Sequence, residues 1–229
     1  MAIVIENLHK NYLQGNEVIE AVRGVNLVIN PGEFIVLIGP SGGGKSTFLS
    51  LVGGMDPPTS GSIHFDEFAL ETATEEQLTH FRARKVGFVF QFYNLLTSLN
   101  ALENAMLPLI ARGESSDSAR KKALAVLEQL EIGHRQKHLP SQLSGGEQQR
   151  VAIARAIIGE PELIIADEPT GDLDSTTAEE IVHLMHRLNK EKGITFLVAT
   201  HNLALCERAD RNFEMKDGAI HEKHNGTLR

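Results

Sequence analysis

The sequence predicts an α/β fold: a mostly parallel sheet with helices on both faces, an antiparallel β region at its amino end and a helical segment inserted in the middle. Three observations lead there. The apolar run "FIVLI" (34–38) passes directly into the glycine-rich "GPSGGGKST" (39–47) and the helix-like "FLSLVGG". The final third alternates short apolar runs with helical periodicity, the pattern of strands joined by crossover helices. Between about 94 and 142 the strand-and-turn character gives way to helix.

Taken in order, "AIVIENL", "AVRGVNLVI" and "FIVLIG" are β-rich and are separated by polar turns holding Gly15, Asn16 and Pro31-Gly32. After the glycine-rich loop, "KSTFLSLVGG" reads as a helix ended by glycine. "PPTSGSIHF" is a turn entering a strand, and "KVGFVFQ" (85–91) is a short buried strand. In "ARKKALAVLEQLEI", Ala123, Leu124, Leu127 and Leu130 mark one helical face. A further helix opens at Ser144-Gly145-Gly146 with Val151, Ala154 and Ile158 on its apolar face. Then come a strand at 162–167, a helix at 176–192, a strand at 194–200, a short helix, and the hairpin "RNFEMKDGAIHE" turning at Asp217-Gly218. In the helix at 176–192 the predicted buried stripe is Ala178, Ile181, Val182, Met185 and Leu188, with Gly193 at its end. This organisation makes residues 1–229 one domain, with the core and β region at about 1–93 and 160–229 and a helical lobe at about 94–159.

Bulk properties narrow the class. The 229 residues carry a formal charge of −8, which disfavours a broad basic face for nucleic acid. The single cysteine, Cys206, excludes an intrachain disulfide framework and lies in an apolar-periodic stretch, so a buried structural thiol is expected. "MAIVIENLHK" has no basic region before its apolar run and does not read as a signal peptide. No apolar stretch approaches the ~18 residues that span a bilayer. The expectation is a soluble cytoplasmic chain with no insertion into a membrane.

The chemistry begins at residues 39–47. The spacing from Gly39 through Gly44 to Lys45 and Ser46 is G-x-x-x-x-G-K-[ST]. Glycines let successive backbone N–H groups face an anion at the positive end of the helix that follows. Lys45 is placed to reach β- and γ-phosphates and the Ser46 hydroxyl to reach Mg²⁺, so the predicted ligand is a nucleoside triphosphate with magnesium. "LIIADEP" (163–169) sets Asp167 and Glu168 at the carboxyl end of an apolar strand, where α/β sheets present ligand-binding groups. Asp167 suits hydrated Mg²⁺, directly or through water, and Glu168 suits positioning the attacking water.

The helix opening at Ser144 is a second anion site, which one γ-phosphate does not need from one subunit. With it the chain resembles the ATP-binding cassette family, the nucleotide-binding subunits of ABC transporters, over nearly its whole length. "LSGGE" (143–147) matches the family signature, "FVFQ" ends at Gln91 in the Q-loop position, and "GDLD" (171–174) falls at the D-loop. "VATH" ends at His201, the switch-histidine position, and Tyr12 stands where an aromatic ring stacks on adenine.

The resemblance implies a RecA-like P-loop core with an antiparallel β subdomain and a helical subdomain. It also implies a head-to-tail homodimer formed on ATP. Each ATP would lie between Gly39, Pro40, Ser41, Gly42, Gly43, Gly44, Lys45, Ser46 and Thr47 of one copy and Ser144, Gly145, Gly146 and Glu147 of the other. Gln91, with Ser46 and Asp167, would attend Mg²⁺ and the lytic water; His201 would contact the γ-phosphate, and Asp174 would cross the interface. Gly43 stands where serine is usual, Glu147 replaces the frequent signature glutamine, and Asp172 occupies a variable position; none removes a group with a chemical role.

"LTSLNALENAMLPL" (96–109), "LSGGEQQRVAIARA" and "FLVATHNLALCERADRNFEMKDG" resemble more narrowly the lipoprotein-release and macrolide-exporter branch. That implies integral membrane permease subunits as partners and a peripheral place on the inner face of the cell membrane. Because few residues follow the last hairpin, the regulatory domain of many sugar importers is not expected. The alternative is a non-transport single-cassette ATPase such as the one of iron–sulfur assembly, against which only "NALENAMLPL" argues. In "QFYNLLTSL" (91–99) five large apolar groups are open to two readings, buried core or a groove for a short permease helix.

Overall fold

A computed structural model describes residues 2–223; Met1 and residues 224–229 lie outside it. Two sheets build the fold. In the first, β1 (Ile3–Gln14) and β2 (Glu17–Ile29) form one long antiparallel hairpin, turned at Gly15-Asn16. It is longer than the sequence suggested, because register shifts near Leu8 and Lys10 absorb the polar residues that had read as a break. The other strands, in chain order, are β3 (Phe34–Ile38), β4 (Ser60–Phe65), β5 (Phe68–Ala69), β6 (Val86–Phe90), β7 (Leu163–Asp167), β8 (Thr195–Ala199), β9 (Arg211–Lys216) and β10 (Ala219–Lys223). The antiparallel sheet has the order β2-β1-β4-β5, and the second sheet β10-β9-β3-β8-β7-β6. Every pairing in the second sheet is parallel except β9 with β10, whose turn is the expected Asp217-Gly218.

The helices are α1 (Lys45–Val52), α2 (Glu75–Lys85), α3 (Ala101–Ala111), α4 (Ser116–Gln129), α5 (Gly145–Ile157), α6 (Ser175–Lys192) and α7 (Leu203–Arg208). The central strands are apolar on both faces, and their period of two divides the core. Phe34, Val36, Ile164, Ala166, Phe196 and Val198 join the cluster formed with α3–α6. Their neighbours Ile35, Leu37, Leu163, Ile165, Leu197 and Ala199 join the cluster under α1 and the antiparallel sheet. The α6 stripe is buried as expected, and Gly193 ends that helix at φ +64°, its N–H donating to Asn189 O. Cys206 is fully buried, and burial pushes its thiol up.

One helix went unpredicted, and one local expectation needs correction. Helix α2 has a reciprocal cap between Thr74 and Gln77 and acidic residues in its first turn. Phe81 is its one buried residue, so it carries no apolar period to read. The helical middle begins only at Ala101: residues 94–100 are irregular, fastened by Asn104, whose side chain bonds the Leu96 N–H and the carbonyls of Leu96 and Leu99.

Candidate nucleotide-binding site

Parallel register assembles the site. Phe90 pairs with Asp167, and Asp167 with Ala199, so β6, β7 and β8 end in one row. The residues just beyond, Gln91, Glu168 and Thr200-His201, therefore emerge side by side at the carboxyl edge. Leu37 of β3 pairs with Ala199, which brings the glycine-rich loop to the same edge.

That loop is squeezed between backbones. Gly39 has φ +147°, and a Cβ there would collide with the Met215 carbonyl. Gly44, at φ +101°, would collide with the Ala21 carbonyl. The Gly43 N–H closes a turn on Pro40 O at 3.1 Å, and Gly43 O accepts from the Gly218 N–H at 3.3 Å. Lys45 is buried, with Nζ donating to Gly39 O (2.6 Å) and Pro40 O (3.1 Å).

An open cleft of about 780 Å³ runs along the loop. Tyr12, Ser41, Gly42, Gly44, Lys45, Ser46, Thr47, Gln91, Asp167, Glu168 and His201 all line it. The structure thus gathers residues from five separate stretches of sequence. Gly39, Pro40 and Gly43 shape the loop without lining the cleft. Val18, Ile19, Glu20, Ala21 and Arg23 of β2, with Asp217-Gly218, form walls that sequence reasoning missed. Their only sequence signals were a strand and a turn; the packing of β2 over the loop gives them this place.

At the far end, Glu168 Oε2 accepts from the His201 backbone N–H, and its Oε1 lies 3.2 Å from His201 Nε2. Glu168 is held at φ +47°, with its own N–H donating to Ala199 O at 2.8 Å. A non-glycine residue in that region is strained, and such strain gathers at functional sites. Gln91 Nε2 donates to Asp172 Oδ1 at 3.2 Å. Ser46, Gln91 and Asp167 offer side-chain oxygens in one cleft, a donor set that suits a hard divalent cation.

The remaining predicted residues lie outside this cleft. Ser144 caps α5: its Oγ accepts from the Glu147 N–H, and Glu147 Oε2 accepts from the Ser144 N–H at 2.8 Å. Glu147 Oε1 accepts from Arg135 Nε at 2.8 Å, so both its oxygens are engaged within the chain. Burial raises the Glu147 carboxyl, but Ser144 and Arg135 outweigh it and hold the group below the usual range. Asp174 caps α6, accepting from the Thr177 hydroxyl at 2.6 Å and from the N–H groups of Thr176 and Thr177. The Thr177 hydroxyl leads in holding its carboxyl low.

Residues 22–171 match the ABC transporter family. The chain belongs to that family. This ABC protein is 46% identical over 221 residues to the ABC transporter ATP-binding protein YbbA of Escherichia coli (strain K12), covering 96% of the chain and 97% of the relative. It is 44% identical over 218 residues to the lipoprotein-releasing system ATP-binding protein LolD of Syntrophus aciditrophicus (strain SB), covering 95% and 98%. Among solved structures it resembles a dimeric post-hydrolysis state of the ATP-binding cassette MJ0796 of Methanocaldococcus jannaschii, bound to ADP and Pi, with TM-score 0.90 and 43% identity over 96% of this chain and 97% of that one. As an ABC transporter ATP-binding subunit the chain binds ATP and is an ATPase.

Proposed function

We propose that two copies of this chain close head-to-tail on two ATP molecules with Mg²⁺, and that hydrolysis drives a separate membrane permease of the lipoprotein-release or macrolide-exporter type. One observation carries the dimer. The chain has two helix-opening anion sites, and Ser144, Gly145 and Gly146 are absent from the lining of the cleft that holds Lys45. A second copy can bring its signature helix to that cleft. The dimeric form of the MJ0796 cassette supports this arrangement.

In this reading the loop N–H groups and Lys45 hold the phosphates, Tyr12 takes the adenine, and Asp174 sits at the interface. Ser46, Asp167 and Gln91 hold the metal, which when bound neutralises charge developing on the phosphoryl oxygens. Glu168 positions the attacking water and accepts its proton. His201, 3.2 Å from Glu168, orients that carboxylate and faces the γ-phosphate end of the cleft.

Transmission starts at Gln91. Two and three residues on, Tyr93 and Asn94 are both at positive φ, and their carbonyls accept from Arg155 of α5 at 2.8 and 2.5 Å. Movement of Gln91 therefore pulls on the signature helix of the same copy. Beside this clamp lies a groove of about 440 Å³, walled by Val86, Phe88, Phe90, Pro108 and Ala111 with Arg112 and Arg155. This is the surface for a short helix of the permease. No helix among the described residues is long and apolar enough to cross a membrane. The permease then supplies attachment at the inner, cytoplasmic face of the membrane. Similarity to LolD favours the lipoprotein-release branch over the iron–sulfur assembly ATPase.

Light scattering on the Glu168→Gln variant tests the dimer. Mg²⁺ with ATP should convert monomer to dimer, while ADP should not. An unchanged mass with ATP would refute the sandwich.

A further inference from the structure

Close to the adenine end of the cleft lies a charged group that the chemistry above does not use. Lys10 is only 8% exposed, although it carries an ammonium. Its Nζ donates to Asp56 Oδ1 and to Pro57 O, both at 2.7 Å. A cation this buried is tolerated because it is paired and hydrogen-bonded. The pairing fixes Asp56, whose second oxygen accepts from the Tyr12 hydroxyl at 2.6 Å. Thr47, in the phosphate-binding stretch, lines the same cleft as Tyr12, and Lys10 Nζ stands 5.0 Å from the Tyr12 ring centroid. Burial, then the bond and charge of Asp56, push the Tyr12 hydroxyl above the ordinary phenol value. Burial raises Asp56, but Lys10 and Tyr12 outweigh it, so the carboxylate stays ionised as the acceptor.

Asp56 is itself rigidly mounted. The Gly53 and Met55 N–H groups donate to Leu49 and Ser50 carbonyls at 2.9 Å, so the segment continues the last turn of α1. Just beyond, the Thr59 N–H donates to His9 O (2.8 Å) and its Oγ1 accepts from the Asn11 N–H (2.9 Å). The loop is thus stitched to β1 on either side of Lys10. Helix α1 begins at Lys45, so one rigid element links the phosphate groups to the ring.

We propose that Asp56 is a positioning residue for nucleotide binding: it tethers the Tyr12 ring through its hydroxyl and sets the distance from the base platform to the phosphate loop. This rests on the reading of Tyr12 as the adenine platform. A free aromatic ring pays orientational entropy when a base stacks on it; a tethered ring has already paid it. The hydroxyl is therefore functional, beyond the ring that stacking alone requires.

Steady-state ATPase kinetics test the tether, with inorganic tripolyphosphate as a competitive inhibitor that has phosphates and no base. Asp56→Asn and Tyr12→Phe should each raise the KM for ATP about three- to ten-fold, the scale of one lost hydrogen bond. The kcat should stay within about two-fold and the tripolyphosphate Ki should not move. The double variant should be no worse than the poorer single one, because both cut the same link. If Asp56→Asn does not fold, Tyr12→Phe decides alone, since it leaves the Lys10–Asp56 pair intact. Wild-type KM in Tyr12→Phe overturns the tether, as does a tripolyphosphate Ki that rises with KM. Tyr12→Ala separates the two readings. If Ala raises KM and Phe does not, stacking stands and the tether is refuted; if neither does, the adenine platform is refuted and the tether with it.

Discussion

Glu168 Oε1 lies 3.2 Å from His201 Nε2, and the other oxygen of the same carboxylate accepts from the His201 backbone N–H. His201, just beyond β8, thus holds the carboxylate that follows β7 through both of its oxygens. The β7–β8 register, with Asp167 opposite Ala199, sets their distance.

That geometry makes Glu168 the group to remove. Glu168→Gln retains a side chain of the same shape that can still bond His201, but it no longer accepts the water's proton. ATP binding should be kept and turnover should fall about 10²- to 10⁴-fold, the usual contribution of a general base. Binding by calorimetry and phosphate release by a colorimetric assay check both halves. Near-normal turnover in the Gln variant would remove Glu168 from its role.

The stretch 91–99 divides between the two readings its apolar residues allowed. Leu95 packs against the core, whereas Phe92 is 73% and Leu96 50% exposed. The neighbouring groove takes only Asn94 from this stretch; its apolar walls come from β6 and α3. Leu96→Asp and Ala111→Glu should both fold, with denaturation midpoints close to wild type, because both positions are exposed. Basal ATPase should persist in both, while Ala111→Glu, in the groove wall, should lose co-purification with the permease and cargo-stimulated activity. Ala111→Glu that still couples normally would move the docking surface away from the groove.

Glu147 gives a pH-dependent prediction. Its carboxyl is lower in the folded chain than the ordinary 4.5, as Ser144 and Arg135 outweigh the effect of burial. A folded value below the unfolded one means that the unfolded state binds more protons across this window. The stabilisation is therefore complete above about pH 4.5 and is lost as pH falls through the depressed value. Glu147→Gln should be less stable than wild type at pH 7, and the gap should close toward pH 3. Urea melts at the two pH values measure it; a gap independent of pH would show that the ionised carboxylate contributes nothing.

Much of this protein follows from residues close together in the chain. The loop from Gly39 to Thr47 is legible because its chemistry is local: backbone N–H groups, a lysine and hydroxyls at fixed spacing beside a helix start. The α6 stripe and the α4 face are legible because a helix repeats its buried side every three to four residues. Helix α2 escaped that reading, since it buries almost nothing. Family motifs named Gln91, Glu168 and His201, but their contact depends on the Phe90–Asp167–Ala199 row, and strand register is a long-range choice. The same holds for Ile19 and Arg23 in the cleft wall, for the exposure of Phe92, and for Asp56 beneath Tyr12. None of these has a periodic or spacing signal, because their partners lie far away in sequence. Local hydrogen bonding and hydrophobic period are written along the chain; which strand ends meet, and which side chains they bring together, is decided only when both faces of the central sheet are buried at once.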